Sequence, residues 1–259
     1  MVLIWNENLG ELIMESNDKV AVVTGAAGHG MGRSIALTLA REGASVVVNY
    51  LNSKDRANEV VEYIERNDGQ AVAIQANVFV KDGCEKLIDA AMKRFEKVDI
   101  CIINPGAGWH MEPLDVFDPV LALEDLIQEI APFFHLMRLL LPGMYERKWG
   151  RLVGITLHPV QSSPAYSYNV GKAARLQAMH LAYEEAWEQG VTINAVAPGP
   201  VTHFDSFSQA VAHCKHEKEW FERKDVSPQD IAESVAFLCS EAGSYISGSV
   251  IPFMFHKKK

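Results

Sequence analysis

The stretch from Lys19 to Arg41 limits the possible folds more than any other. Lys19–Thr24, KVAVVT, is a short β-branched run with apolar residues on both faces, the pattern of a strand buried within a parallel sheet. It runs straight into a glycine-rich turn, Thr24-Gly25-Ala26-Ala27-Gly28-His29-Gly30-Met31-Gly32, and then into an amphipathic helix over Arg33–Arg41 that ends at Gly43. Glycines in this context let the backbone approach a ligand closely, and the N–H groups at a helix start favour an anion. Strand, glycine turn and helix in immediate succession point to a dinucleotide pyrophosphate, with a tight unliganded βα turn as the alternative.

The alternation continues along the chain. Strands are expected over Ala44–Asn49, Gln70–Val78, Asp99–Asn104, Arg151–Thr156, Val191–Ala195 and Ser249–Ile251. Helices are expected over Ser53–Asn67, Asp82–Glu96, Leu121–Arg147 and Pro164–Gln189. The predicted class is α/β, a single Rossmann-like doubly wound parallel sheet of about seven strands with helices on both faces. The domain covers residues 19–259 behind an extension over residues 1–18. Met14 lies near its start, so residues 1–13 are either an early start or an extra packing segment. Ligands bind such sheets beyond the carboxyl ends of the strands. The glycine turn, Asn104, Thr156 and Pro198-Gly199 all follow strands and so converge on one edge.

Composition narrows the function. The chain has 259 residues, 48% of them hydrophobic and 22% charged, which fits an ordinary globule. Its net charge of -9 argues against a nucleic-acid groove or an anionic membrane surface and leaves a small molecule as the expected partner. No apolar run reaches the length of a membrane span. Cys84, Cys101, Cys214 and Cys239 are scattered without a paired motif, and no basic residue precedes Lys19, so a reducing cytoplasm is expected.

The chemistry centres on Gly150–Lys172, GRLVGITLHPVQSSPAYSYNVGK. Tyr168 and Lys172 stand four residues apart, which on a helix places both on one face. A phenol titrates near ~10 unperturbed, and a neighbouring ammonium draws it toward working pH. The pair is a candidate proton donor and acceptor.

Taken with the glycine loop, the Asn104 turn and Asn194-Ala195-Val196-Ala197-Pro198-Gly199-Pro200-Val201-Thr202, these residues resemble the short-chain dehydrogenase/reductase family over about Lys19 to Ile251. The run Val46–Val61 is similar to the 3-oxoacyl carrier-protein reductase branch. The resemblance implies that Gly25, His29, Gly30, Met31 and Gly32 hold a pyrophosphate and that Asn77 and Val78 flank the adenine. It further implies that Asn49, Asn104, Gly106, Pro198 and Gly199 line the cofactor groove, with Val201 and Thr202 near the nicotinamide amide. Tyr168 would exchange a proton with the substrate oxygen, and Lys172 would lower its pKa and bond the ribose.

Three positions depart from the family pattern. The glycine loop carries one extra residue between Gly25 and Gly30. The family's serine position, counted from Gly150, falls on Leu157, so that Thr156, Ser162 or Ser163 would have to substitute. The family's helix asparagine falls near Ala131, beside Pro132. An NAD(P)-dependent oxidoreductase acting on a hydrophobic ketone, alcohol or acyl substrate is the leading expectation, and a non-catalytic dinucleotide-binding protein or partner subunit the alternative.

The second strand ends without an acid, at Asn49-Tyr50, which points to NADP ahead of NAD, with Lys54 or His29 meeting its phosphate. Trp109, His110, Met111, Leu157, His158, His203, Phe204 and Phe207 are the expected pocket walls. His213, Cys214 and His216 have helical spacing, but no further ligand closes a metal site and none is expected. The long helices suggest, by resemblance, a homodimer or homotetramer, with Pro252–Phe255 buried against a neighbouring subunit.

Overall fold

The structure, a computed structural model, describes residues 17–106, 108, 110–157 and 165–253. Seven parallel strands form one sheet: β1 (Val20–Val23), β2 (Ser45–Tyr50), β3 (Ala71–Gln75), β4 (Ile100–Ile103), β5 (Gly150–Ile155), β6 (Val191–Ala197) and β7 (Val250–Pro252). Their order across the sheet is β3-β2-β1-β4-β5-β6-β7. The chain therefore winds outward in both directions from the β1–β4 junction, the switch point at which ligands bind in such sheets. Every residue of β1, β4, β5 and β6 is buried, which accounts for the apolar character of β1 and β4 throughout and of β5 and β6 apart from Arg151, Thr192 and Asn194.

Helices cover both faces. On one lie α1 (Met31–Arg41), α2 (Lys54–Arg66), α6 (Phe207–Cys214) and α8 (Pro228–Cys239), packed with the outward side chains of β1 and β2 such as Val46 and Val48. On the other lie α3 (Lys81–Phe95), α4 (Pro119–Arg147) and α5 (Tyr166–Glu188), packed with Val22, Val47, Cys101 and Leu152. A short helix α7 (Lys218–Glu222) follows α6.

Several boundaries differ from those read from the sequence. The third strand stops at Gln75, not Val78, because the Asn77 side chain turns back to accept the Phe79 N–H at 3.1 Å. The sixth strand runs on through Ala197, whose carbonyl accepts the Phe253 N–H at 3.1 Å. Helix α4 begins earlier, at Pro119, where Asp118 caps the Val120 N–H at 2.8 Å, and it passes through Pro132 and Pro142 without ending. Helices α6, α7 and α8 were not anticipated, although Ser227-Pro228-Gln229-Asp230 carries the signal for α8. Ser227 and Asp230 form a capping box with Pro228 inside the start. Among the described residues, no helix is long and apolar enough to cross a membrane.

Candidate active site

The glycine turn lies at the carboxyl end of β1, next to the switch point. Gly25 adopts φ +62°, the left-handed region open to glycine. Gly32 packs so closely that a Cβ there would lie 2.4 Å from the Gly25 carbonyl oxygen. Helix α1 starts after Gly30, an N-cap residue with no side chain to cap its first N–H groups. A bare helix start within a glycine cradle fits a pyrophosphate. Asn104 fastens the turn to β4: its Nδ2 donates to the Thr24 carbonyl at 3.1 Å, and its N–H donates to Thr24 Oγ1 at 3.0 Å.

Asn49 fastens it to β2 and β3. The buried amide accepts the Gly25 N–H at 3.1 Å and donates to the carbonyls of Ile74 at 3.3 Å and Ala76 at 3.1 Å. The positive charge at this end comes from a residue the sequence reading passed over. Arg56, in the first turn of α2, donates to His29 Nε2 at 2.6 Å and to Ser53 Oγ at 2.5 Å. Val78 is buried in the core beneath this region, and Asn77 is half-buried.

The segment after β6 crosses the glycine turn. The Phe204 N–H donates to the His29 carbonyl at 3.3 Å, and Thr202 donates from its N–H and hydroxyl to the Val226 carbonyl at 3.0 and 3.2 Å. His203 stands over Gly30, its Nδ1 3.6 Å from where a Cβ would be. Val201 packs half-buried against the α1-side core. Phe204 and Phe207 are not pocket walls: Phe204 is 2% exposed against His213, and Phe207 packs edge-on to Tyr63.

Tyr168 and Lys172 lie one turn apart on α5, with Lys172 Nζ 5.3 Å from the Tyr168 ring centroid. Lys172 is buried, donates to the Ile155 carbonyl at 3.2 Å, and pairs with Glu129 of α4 at 3.3 Å. Arg175, one turn further, pairs with the same Glu129 Oε2 at 2.9 Å. Its guanidinium also donates to the carbonyls of Glu129 at 2.6 Å, Ile155 at 3.2 Å and Pro105 at 2.9 Å. Burial, then the Arg175 charge, depress the Lys172 ammonium to about 8 against the pull of Glu129. The resemblance implied that the Tyr168 phenol is drawn down; instead burial, and after it the Glu129 charge, push it up to about 12, with Arg175 opposing.

Thr156 follows β5 on the face of the sheet occupied by α5. A Cβ on Gly154, two residues earlier, would meet both Met179 of α5 and Thr156 Cγ2. The Thr156 hydroxyl is buried and has no hydrogen-bond partner among the described residues, so it is not bonded to Tyr168. Leu157 is half-buried, and Ser162, Ser163, His158 and Trp109 lie outside the described residues.

A shallow recess opens beside the start of α5, lined by His110, Phe117, Leu121, Asp125, Tyr166 and Ser167. Asp125, buried on α4, takes both the Ser167 hydroxyl at 2.6 Å and His110 Nδ1 at 2.9 Å on one oxygen, Oδ2. The serine is thus bonded to the acid and not to the imidazole, which is not the order of a nucleophilic triad. The hydrogen bond to Asp125, and then its charge, raise the His110 pKa. Met111 stands exposed outside the recess.

His213, Cys214 and His216 diverge. His213 lies between Phe204, tilted against it, and Trp220, edge-on to it; Cys214 is buried, and His216 bonds Glu233 at 2.7 Å. Among the described residues, no three His, Cys, Asp or Glu side chains are grouped to hold a metal ion.

Comparison with known proteins agrees with this architecture. A family model described as Enoyl-(Acyl carrier protein) reductase matches residues 25–253. The 7α-hydroxysteroid dehydrogenase of Escherichia coli (strain K12) is 33% identical over 243 residues, spanning 90% of this chain and 91% of that protein. A 3-oxoacyl-acyl-carrier-protein reductase of Staphylococcus epidermidis is 34% identical over 239 residues, spanning 90% and 96%. A solved 7α-hydroxysteroid dehydrogenase, complexed with NADH and 7-oxo glycochenodeoxycholic acid, superposes with a TM-score of 0.80 at 30% identity over 93% of this chain and 94% of that one. On the matched sequence and the shared sheet, this chain belongs to the short-chain dehydrogenase/reductase family of NAD(P)-dependent oxidoreductases.

Proposed function

We propose that this protein interconverts a hydrophobic ketone, or an acyl-type carbonyl, and its alcohol, with Tyr168 as the general acid and base. The observation that carries this reading is the placement of Tyr168 and Lys172 on one face of α5, with Lys172 tied to the carboxyl end of β5. A bound nicotinamide supplies or accepts the hydride. Lys172, held in place by Ile155 and Glu129, supplies positive charge beside the phenol when the proton leaves. The recess between the β4–α4 loop and the start of α5 gives an apolar substrate Phe117, Leu121 and Tyr166 to lie against. The names of the two relatives, a steroid dehydrogenase and an acyl reductase, suit this substrate class.

The adenosine end favours NADP over NAD, because Arg56 and His29 stand together and β2 ends at Asn49-Tyr50 without an acid to repel a 2′-phosphate. Exposed apolar side chains on α4 and α5, among them Leu123, Ile127, Phe134 and Leu181, support a dimer or tetramer built on these helices. The four thiols, unpaired and buried, suit a reducing cytoplasm. Nicotinamide absorbance with a panel of hydrophobic ketones and alcohols tests the activity, and turnover with none of them would overturn it. The second reading, a dinucleotide-binding protein without turnover, is favoured by one observation: the Thr156 hydroxyl lies buried without a bond to Tyr168. A thermal shift on adding NADPH, with no turnover of any substrate, would establish that reading.

A further inference from the structure

We propose that Glu129 is the positioning carboxylate of the Tyr168–Lys172 pair, a buried counter-ion that Arg175 clamps in place and that governs how readily protons move through the pair. The inference rests on reading Tyr168 and Lys172 as the acid–base machinery.

The site is built around this carboxylate. Glu129 is 0% exposed, and its side chain runs from α4 into a slot left by two glycines. A Cβ on Gly106 would lie 2.0 Å from Glu129 Oε1, and one on Gly171 would lie 2.7 Å from Glu129 Cγ. Gly171 immediately precedes Lys172, so the gap that admits the acid is part of the same helical turn as the ammonium. Arg175 then fixes the slot from below through carbonyls at the end of β4, the end of β5 and on α4 itself.

Two cations and one anion are thus buried at the carboxyl edge of the sheet, beside the phenol. Apolar side chains of similar size would have avoided the desolvation of three charges. Their burial together beside the phenol points to charge control of the pair. Among the described residues, the groups facing Lys172 are Glu129 from α4, Arg175 and Tyr168 from α5, and the Ile155 carbonyl from β5. Asp125, one turn earlier on α4, directs its carboxylate to His110 and Ser167 instead.

The test compares kcat/KM against pH for the wild type, Glu129→Gln and Glu129→Asp. Removing the negative charge lowers the proton affinity of both Lys172 and Tyr168, so the Gln profile moves to lower pH by about one unit, with Asp in between. A loss of rate or Tm with unmoved midpoints would mean that Glu129 only packs, and would overturn the inference. A second measurement does not need turnover. In protein with 15Nζ-labelled lysine, the Lys172 signal, identified by its absence from Lys172→Met, titrates at lower pH in Glu129→Gln than in wild type. Equal midpoints would overturn the inference. Should the Gln variant fail to fold, the Asp variant carries both measurements. Full activity in Tyr168→Phe would instead remove the acid–base reading, leaving the lysine titration to decide the role of Glu129.

Discussion

Arg56 Nη1 lies 2.6 Å from His29 Nε2 and so joins the first turn of α2 to the extra-long glycine loop. Because a guanidinium only donates, His29 Nε2 is the acceptor in this contact. The two groups form a small basic rim above the end of β2, where Asn49 and Tyr50 carry no charge.

The first prediction concerns this rim. A hydrogen bond to a charged group is worth ~1.5–3 kcal/mol. Replacing Arg56 with Ala weakens NADPH binding by about 10- to 100-fold while leaving NADH within a few fold. Fluorescence titration of both cofactors measures the difference, and equal losses for the two would show that Arg56 does not read the phosphate.

A second prediction follows from the phenol. Tyr168→Phe lowers kcat/KM by about 10²–10⁴, the usual contribution of a positioned acid–base group, and leaves the cofactor dissociation constant unchanged. Steady-state rates and a binding titration on the same preparation separate the two effects.

The Thr156 hydroxyl provides a third. This buried hydroxyl has no partner among the described residues, and such a group is destabilising. Thr156→Val therefore raises stability by roughly 1 kcal/mol, visible as a higher Tm, and leaves turnover within about threefold. A fall of about 10² in kcat would instead give this hydroxyl a place beside the reacting oxygen.

Lys172 leads to a fourth, read from the difference in stability between wild type and Lys172→Met. The lysine titrates at about 8 when folded and near ~10.4 when unfolded. Between those values the unfolded chain binds more protons, so wild-type stability rises with pH relative to the variant, by on the order of 3 kcal/mol across the window. Below about 8 both states are protonated and the difference is flat. The buried thiols titrate in both proteins and cancel. Urea unfolding at a series of pH values measures the curve, and a flat difference throughout would contradict the burial of this charge.

How much of this was legible beforehand depends on the kind of signal. The sheet was readable because a buried parallel strand must be apolar on both faces, and KVAVVT and DICIIN announce it locally. Tyr168 and Lys172 were readable because helical spacing is local as well. Glu129 and Arg175 were not: they stand 46 residues apart, and a Glu on one helix and an Arg on another look like solvated surface until α4 and α5 are packed together. Arg56 escaped notice for the same reason, since its partner His29 lies 27 residues earlier in a turn whose path no periodicity describes. Phe204 and Phe207 were assigned to a pocket from their place after β6; that the segment folds back over the glycine turn is a tertiary fact.

Asn49, whose amide ties the glycine turn to the ends of β2 and β3, sits where cofactor preference is usually altered by adding or removing an acid. Here an aspartate would still accept the Gly25 N–H but would face the Ile74 and Ala76 carbonyls with nothing to donate, so the obvious exchange would set a carboxylate against the end of β3. Anyone altering the cofactor preference of this scaffold has to leave Asn49 as the keystone and recarve the stones around it, beginning on α2.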